Sequence, residues 1–187
     1  MISRRRFMGG AAGAWLVLGP AGLSAQEGVF LKPEEAPRQL FPDATDVIDR
    51  VEIATPPVQQ RIRDLLGYPS TIWEPAYRIF TVKRGEAVVG YVVVVEEIGK
   101  HRPITYAVAI TPDGKVHDVA VLAYREAYGG EVRERRFLKQ YADKTLADPM
   151  LPYRDVRNIA GATLSVQATG RAARKAIAVL KATGNLS

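Results

Sequence analysis

Cysteine is absent from this chain, which removes disulfides, thiolate zinc sites, iron–sulfur clusters and thioether-linked haem together. Histidine is nearly absent too: His101 and His117 are the only two, too few for a histidine-based metal cluster. Strong net charge is also missing. The formal balance is +6, but Arg4, Arg5 and Arg6 lie in a segment that reads as an export signal, and setting them aside leaves about +3, too mild an excess to argue for nucleic acid. No Ser-His-Asp set or acid–base carboxylate pair is evident, so hydrolysis is not indicated, and there is no internal repeat or low-complexity tract. What remains is 187 residues, 47% apolar, enough to bury one good core with an extension and too little for two full domains.

The first stretch, "MISRRRFMGGAAGAWLVLGPAGLSAQ", has a cationic start, an apolar run from Phe7 to Leu18, and small residues at Gly22, Ser24 and Ala25, the three parts of an export signal. The apolar run is shorter than the ~20 residues a bilayer span needs, and Gly9, Gly10 and Gly13 dilute it. Ser3-Arg4-Arg5-Arg6-Phe7-Met8 resembles the twin-arginine export motif at every position. Residues 1–25 are therefore expected to direct export, with cleavage after Ala25 or retention as a membrane anchor.

From Gln26 to Pro57, Pro33, Pro37, Pro42 and Pro56-Pro57 break any long element, so residues 26–57 read as an extended arm with at most a short helix around Ala44 to Val51. Residues 58–187 then read as one domain. Val58, Ile62, Leu65 and Leu66 recur at helical spacing and Gly67 stops them. Ala76 to Lys83 and Ala87 to Ile98 form a hairpin across Arg84-Gly85-Glu86, and the second run, "VVGYVVVVEE", is β-branched enough to want burial on both faces. Ile104 to Thr111 and Lys115 to Ala123 repeat the arrangement across Pro112-Asp113-Gly114. A helix from Val132 to Ala142 and a last one from roughly Leu164 to Thr183, with Val166, Ala173, Ile177 and Leu180 on one stripe, follow. Strands then helices predict α+β: a twisted, mostly antiparallel sheet with helices packed on it.

"AGATLSVQATG", Ala160 to Gly170, raises the functional question. A helix start leaves backbone N–H groups unpaired and carries partial positive charge, so an anion is stabilised there. Gly161 allows a positive φ and close approach to the main chain, Ala162 adds little bulk, and Thr163 and Ser165 supply hydroxyls. Two readings stand: a hydroxyl that caps the helix, contributing ~1 kcal/mol, or a phosphate-bearing cofactor held at the turn.

The motif "AGATLS" before an alanine-rich helix resembles the FMN-binding domain of extracytoplasmic subunits of the Na+-pumping NADH:quinone reductase and Rnf complexes and of NosR-type proteins. The resemblance implies an FMN-binding fold over roughly Ala76 to Leu180. It also implies that Thr163 is esterified to the FMN phosphate by an exported, magnesium-dependent flavin transferase, with Gly161 and Ala162 as the tight turn and Leu164 and Ser165 as flanking flavin contacts. "VLAYREAYGGEV" is similar to the family's loop that closes on the flavin, placing Glu126 and Gly129 at corresponding positions and Tyr124 and Tyr128 beside the ring. Where the family pattern has Asp this chain has Arg157, and where it has Ser or Thr it has Ala160; Asp155 lies two positions away. Arg157 has the fork to pair with a phosphate. His101 is either a ring neighbour or an exposed loop residue. The function implied is an electron carrier holding one FMN and exchanging electrons with membrane-associated redox partners. The rivals are a non-redox binding or structural subunit of a membrane redox complex, and an oxidoreductase with non-covalent FMN.

Overall fold

The computed structural model describes residues 28–186; the expected export signal at 1–25 lies outside them. Six strands make one antiparallel sheet in the order β1-β6-β5-β4-β3-β2, built from β1 (Gly28–Val29), β2 (Asp46–Ile53), β3 (Ala76–Arg84), β4 (Ala87–Ile98), β5 (Pro103–Ile110) and β6 (Val116–Tyr124). The helices are α1 (Ala36–Leu40), α2 (Pro56–Leu66), α3 (Arg135–Leu138) and α4 (Thr163–Ala182). The fold is α+β. No helix among the described residues is long and apolar enough to cross a membrane.

Alternation along the strands sorts side chains onto two faces. Ile79, Val93, Tyr106 and Val121 point into the larger core, where α4 contributes Val166, Ala173, Ile177 and Leu180 and α2 contributes Ile62 and Leu66. Phe80, Val92, Ala107 and Leu122 point the other way, into a smaller core closed by Ala36, Leu40 and Phe41 of the α1 region. The valine run of β4 is thus covered on both sides, as its composition requires. Gly67 ends α2 in the left-handed region at φ 72°, its N–H bonding to the Arg63 carbonyl.

Three expectations fail. Residues 28–57, expected as an extended arm, instead carry β1, α1 and β2, and Leu40 and Phe41 are 2% and 7% exposed, each burial contributing roughly 1.5–3 kcal/mol. Residues Ala44 to Val51, expected at most as a short helix, run into strand β2, which pairs with β3 from Asp46↔Lys83 to Ile53↔Ala76. A ladder of main-chain bonds to an existing edge outweighs weak local helix preference. The helix expected from Val132 to Ala142 is instead a 3-10 turn (Gly130–Arg133), α3, and a second 3-10 turn (Lys139–Tyr141), with Glu134 extended between them at φ −63°, ψ 131°. A continuous helix would put Val132 and Phe137 about 140° apart around its axis. The extended residue resets that phase, so Val132, Phe137, Leu138 and Tyr141 all enter the core.

A buried ion cluster fastens α4 to the segment before β3. Lys175, fully buried, places Nζ 2.5 Å from Glu74 Oε2 and 3.6 Å from Glu97 Oε1 and donates to the Ile72 and Glu96 carbonyls. Arg171 Nε donates to Glu97 Oε2 at 3.1 Å.

Candidate functional site

The chain reaches α4 through a sharp turn. Gly161 stands exposed at φ 78° with open space where a side chain would be, and Ala162, the residue before the helix, provides no side-chain cap. Neither nearby hydroxyl supplies one. Thr163 Oγ1 accepts from Asn158 Nδ2 at 2.9 Å, and Ser165 Oγ pairs with Tyr124 Oη at 3.1 Å. The first helical bond runs from Val166 N–H to the Ala162 carbonyl, leaving the N–H groups of the first turn and the positive end of a 20-residue helix without a capping side chain.

This helix end opens on a cleft of about 400 Å³ lined by Gly161 to Ser165 on one side and by Lys100, His101, Glu126, Ala127 and Tyr128 on the other. Two glycines make that arrangement possible. Gly129, at φ 81°, abuts the turn: a Cβ there would sit 2.9 Å from Ala162 Cβ and 3.0 Å from Tyr124 Oη. A Cβ on Gly99 would meet Glu126 Oε1 at 2.8 Å. Glu126 uses the space so created, its Oε1 accepting from the backbone N–H groups of Lys100, His101 and Arg102 at 2.5, 2.6 and 2.9 Å. Burial pushes the Glu126 carboxyl up, but these three amides outweigh it and hold it below the usual range. The carboxylate therefore positions the β4–β5 loop at the rim of the cleft, with its charge already met.

Of the residues singled out in the sequence, Gly161, Ala162, Thr163, Leu164, Ser165, Glu126 and Tyr128 line the cleft together, with His101 exposed at its rim. Leu164 and Tyr128 are 44% and 79% exposed. Tyr124 is fully buried behind the wall, its hydroxyl donating to the Tyr128 carbonyl. Ala160 and Arg157 are exposed outside the cleft. Arg157 belongs to a neighbouring depression with Gln140 and Asn158, and its N–H donates to Gln140 Oε1. Asp155 is committed elsewhere, pairing with Lys144 Nζ at 2.9 Å and accepting from the Met150 and Leu151 N–H groups. Burial raises its carboxyl, and Lys144 with these two amides more than reverses that, leaving it below its ordinary value.

Asn158 was not anticipated. Its Nδ2 donates to both Thr163 Oγ1 and Tyr153 Oη, and its Oδ1 is buried without a partner. An asparagine in a loop carries no sequence signal for such a role.

Residues 99–178, spanning β5, β6, the cleft loops and most of α4, match the family model of the FMN-binding domain. This segment is an FMN-binding domain. Its cofactor is FMN. The chain is also similar to one subunit of the proton-translocating ferredoxin:NAD(+) oxidoreductase complex of Clostridium ljungdahlii, 29% identical over 106 residues. That match covers 52% of this chain and 57% of the relative, so the chain spans little more than half the length of the curated relative it matches.

The residues present fit that cofactor. The FMN-binding domain offers an uncapped helix end for an anionic phosphate, a turn open to approach at Gly161, and a cleft within the range of cofactor sites. The bond that Thr163 Oγ1 makes to Asn158 is one it accepts. An ester oxygen keeps the lone pairs needed for that bond and gives up only the proton, so the contact is compatible with a phosphoester at Thr163.

Proposed function

We propose that this chain is an exported electron-transfer flavoprotein whose FMN phosphate rests at the start of α4 and is esterified to Thr163. The observation that carries the reading is the unmet helix end: the N-cap is alanine, and the two hydroxyls that would cap it are turned to Asn158 and Tyr124. Bound there, FMN supplies one- and two-electron chemistry. The protein supplies position. Asn158 orients the Thr163 oxygen, Gly129 seats the turn, and Glu126 holds Lys100 and His101 at the rim, with Tyr128 exposed beside them. A cleft walled by the exposed residues Leu164 and Tyr128 leaves the flavin edge open to donor and acceptor proteins, as a carrier requires.

Residues 1–25 would deliver the folded chain across the membrane by the twin-arginine route, and an exported flavin transferase would attach the cofactor. Similarity to part of a ferredoxin:NAD(+) oxidoreductase complex supports partners within a membrane-associated redox assembly on its extracytoplasmic face. The test is a denaturing gel of protein produced with export and a flavin transferase. Fluorescence should migrate with the wild-type band and be absent from Thr163→Ala; a colourless wild-type protein would favour a structural role, and flavin released on denaturation a non-covalent oxidoreductase.

A further inference from the structure

On the same helix, beyond the flavin cleft, lies a second cavity of about 500 Å³ with Tyr68, Pro149, Leu151, Arg154, Arg171 and Arg174 in its walls. Arg171 follows Thr163 by eight residues, about 12 Å along the helix axis. We propose that this cavity binds a small organic carboxylate with a flat apolar body, independently of the flavin.

The argument begins with donors that the fold leaves unused. Arg174 spends Nη1 on the Leu146 and Asp148 carbonyls at 2.7 and 2.5 Å and touches the Leu66 carbonyl through Nη2 at 3.4 Å, while its Nε is buried without a partner. A guanidinium has five N–H donors, so Nε–H and one Nη2 proton remain, the edge that grips a carboxylate as a fork. The Tyr68 hydroxyl is buried beside Arg174 and donates its own proton to no group among the described residues, and burial pushes its phenol up against the opposing pull of Arg174, so it remains a neutral donor. Arg171 uses Nε and Nη2 on Glu97 and the Ile98 carbonyl and keeps Nη1. Arg154 is exposed and its side chain has no ion pair or hydrogen bond among the described residues. Three arginines thus meet one cavity, and only Arg171 is paired with a carboxylate.

The wall facing these groups is held firmly. Met150 and Tyr153 adopt positive φ values of 51° and 64°, conformations that cost a non-glycine residue of order 1–3 kcal/mol and persist only where surroundings impose them. Gly170 admits the Met150 carbonyl so closely that a Cβ would lie 1.9 Å from its oxygen. Pro149 and Leu151, on either side of Met150, are thereby fixed against α4. They give the cavity an apolar side, and Tyr68, over which Arg174 stacks at 5.7 Å, gives it an aromatic one. Unused cationic donors beside a fixed apolar wall select an anion with a hydrophobic body over a bare inorganic ion.

The test is calorimetric titration of the full flavin-loaded protein with naphthoate, with naphthalenemethanol and inorganic phosphate as separate arms. Naphthoate should bind one-to-one, ~10-fold or more tighter than either, as a charge-assisted contact joined to apolar burial implies, and the flavin absorbance should not move. Arg174 also holds the loop, so Arg154→Gln, which breaks no contact of the fold, is the informative variant; it should weaken naphthoate roughly tenfold. Equal binding by wild type and Arg154→Gln, equal affinity for naphthalenemethanol, or phosphate binding as tightly as naphthoate would each overturn the proposal.

Discussion

Replacing Gly129 by alanine perturbs the site where loop and helix turn touch, and Gly161→Ala provides the matched comparison. Both glycines have left-handed backbone, φ 81° and 78°, so both substitutions carry the conformational cost of an L residue there, roughly 1–2 kcal/mol. They differ in space. A Cβ at 161 meets nothing within 4 Å, whereas one at 129 meets Ala162 Cβ at 2.9 Å and Tyr124 Oη at 3.0 Å. Neither neighbour is the free end of a flexible chain, since Ala162 belongs to the turn and Tyr124 is fully buried. Overpacking of this kind adds about 1–3 kcal/mol. Urea unfolding of the two variants should therefore place Gly161→Ala about 1–2 kcal/mol below wild type and Gly129→Ala about 2–5 kcal/mol below it. Gly129→Ala should also lose flavin content, because relief of the clash displaces Ala162 and with it the start of α4. Equal destabilisation by the two substitutions would refute the packing argument.

Two further outcomes follow from charge. Glu126 has a folded-state value below its ordinary one, so its contribution to stability is complete above the usual carboxylate range of about 4.3 and is lost as pH falls through the lowered value; Glu126→Gln should show a shallower decline in urea midpoint below about pH 4.3 than wild type, and parallel curves would remove the charge from the account. Lys175→Met leaves Glu74 and Glu97 without their buried ammonium partner and should cost about 3–5 kcal/mol, with a cost under about 1 kcal/mol showing that water compensates the pair.

The four central strands and α4 were legible because their signals are local. Val92 to Val95 are β-branched and need two covered faces, and Val166, Ala173, Ile177 and Leu180 keep helical spacing along α4. β2 was not legible. Its charged residues, Asp46, Asp49, Arg50 and Glu52, lie in a mostly exposed edge strand whose existence depends on pairing with β3, and such pairing leaves little period in the sequence. The break at Glu134 is set by which faces of Val132 and Phe137 must be buried, a tertiary demand. At the site, the glycine turn and the hydroxyls were readable from their chemistry. What those hydroxyls bond to was not: Asn158 on Thr163 and Tyr124 on Ser165 are contacts across turns and elements, and the burial of Glu126 beneath the β4–β5 loop depends on the missing Cβ of Gly99.

The most direct test is the intact mass of the exported full chain made alongside a flavin transferase. A phosphoester at Thr163 predicts an increment of one FMN less one water, retained in Ser165→Ala and lost in Thr163→Ala. An increment that survives Thr163→Ala, or a wild-type chain that carries none, would contradict it.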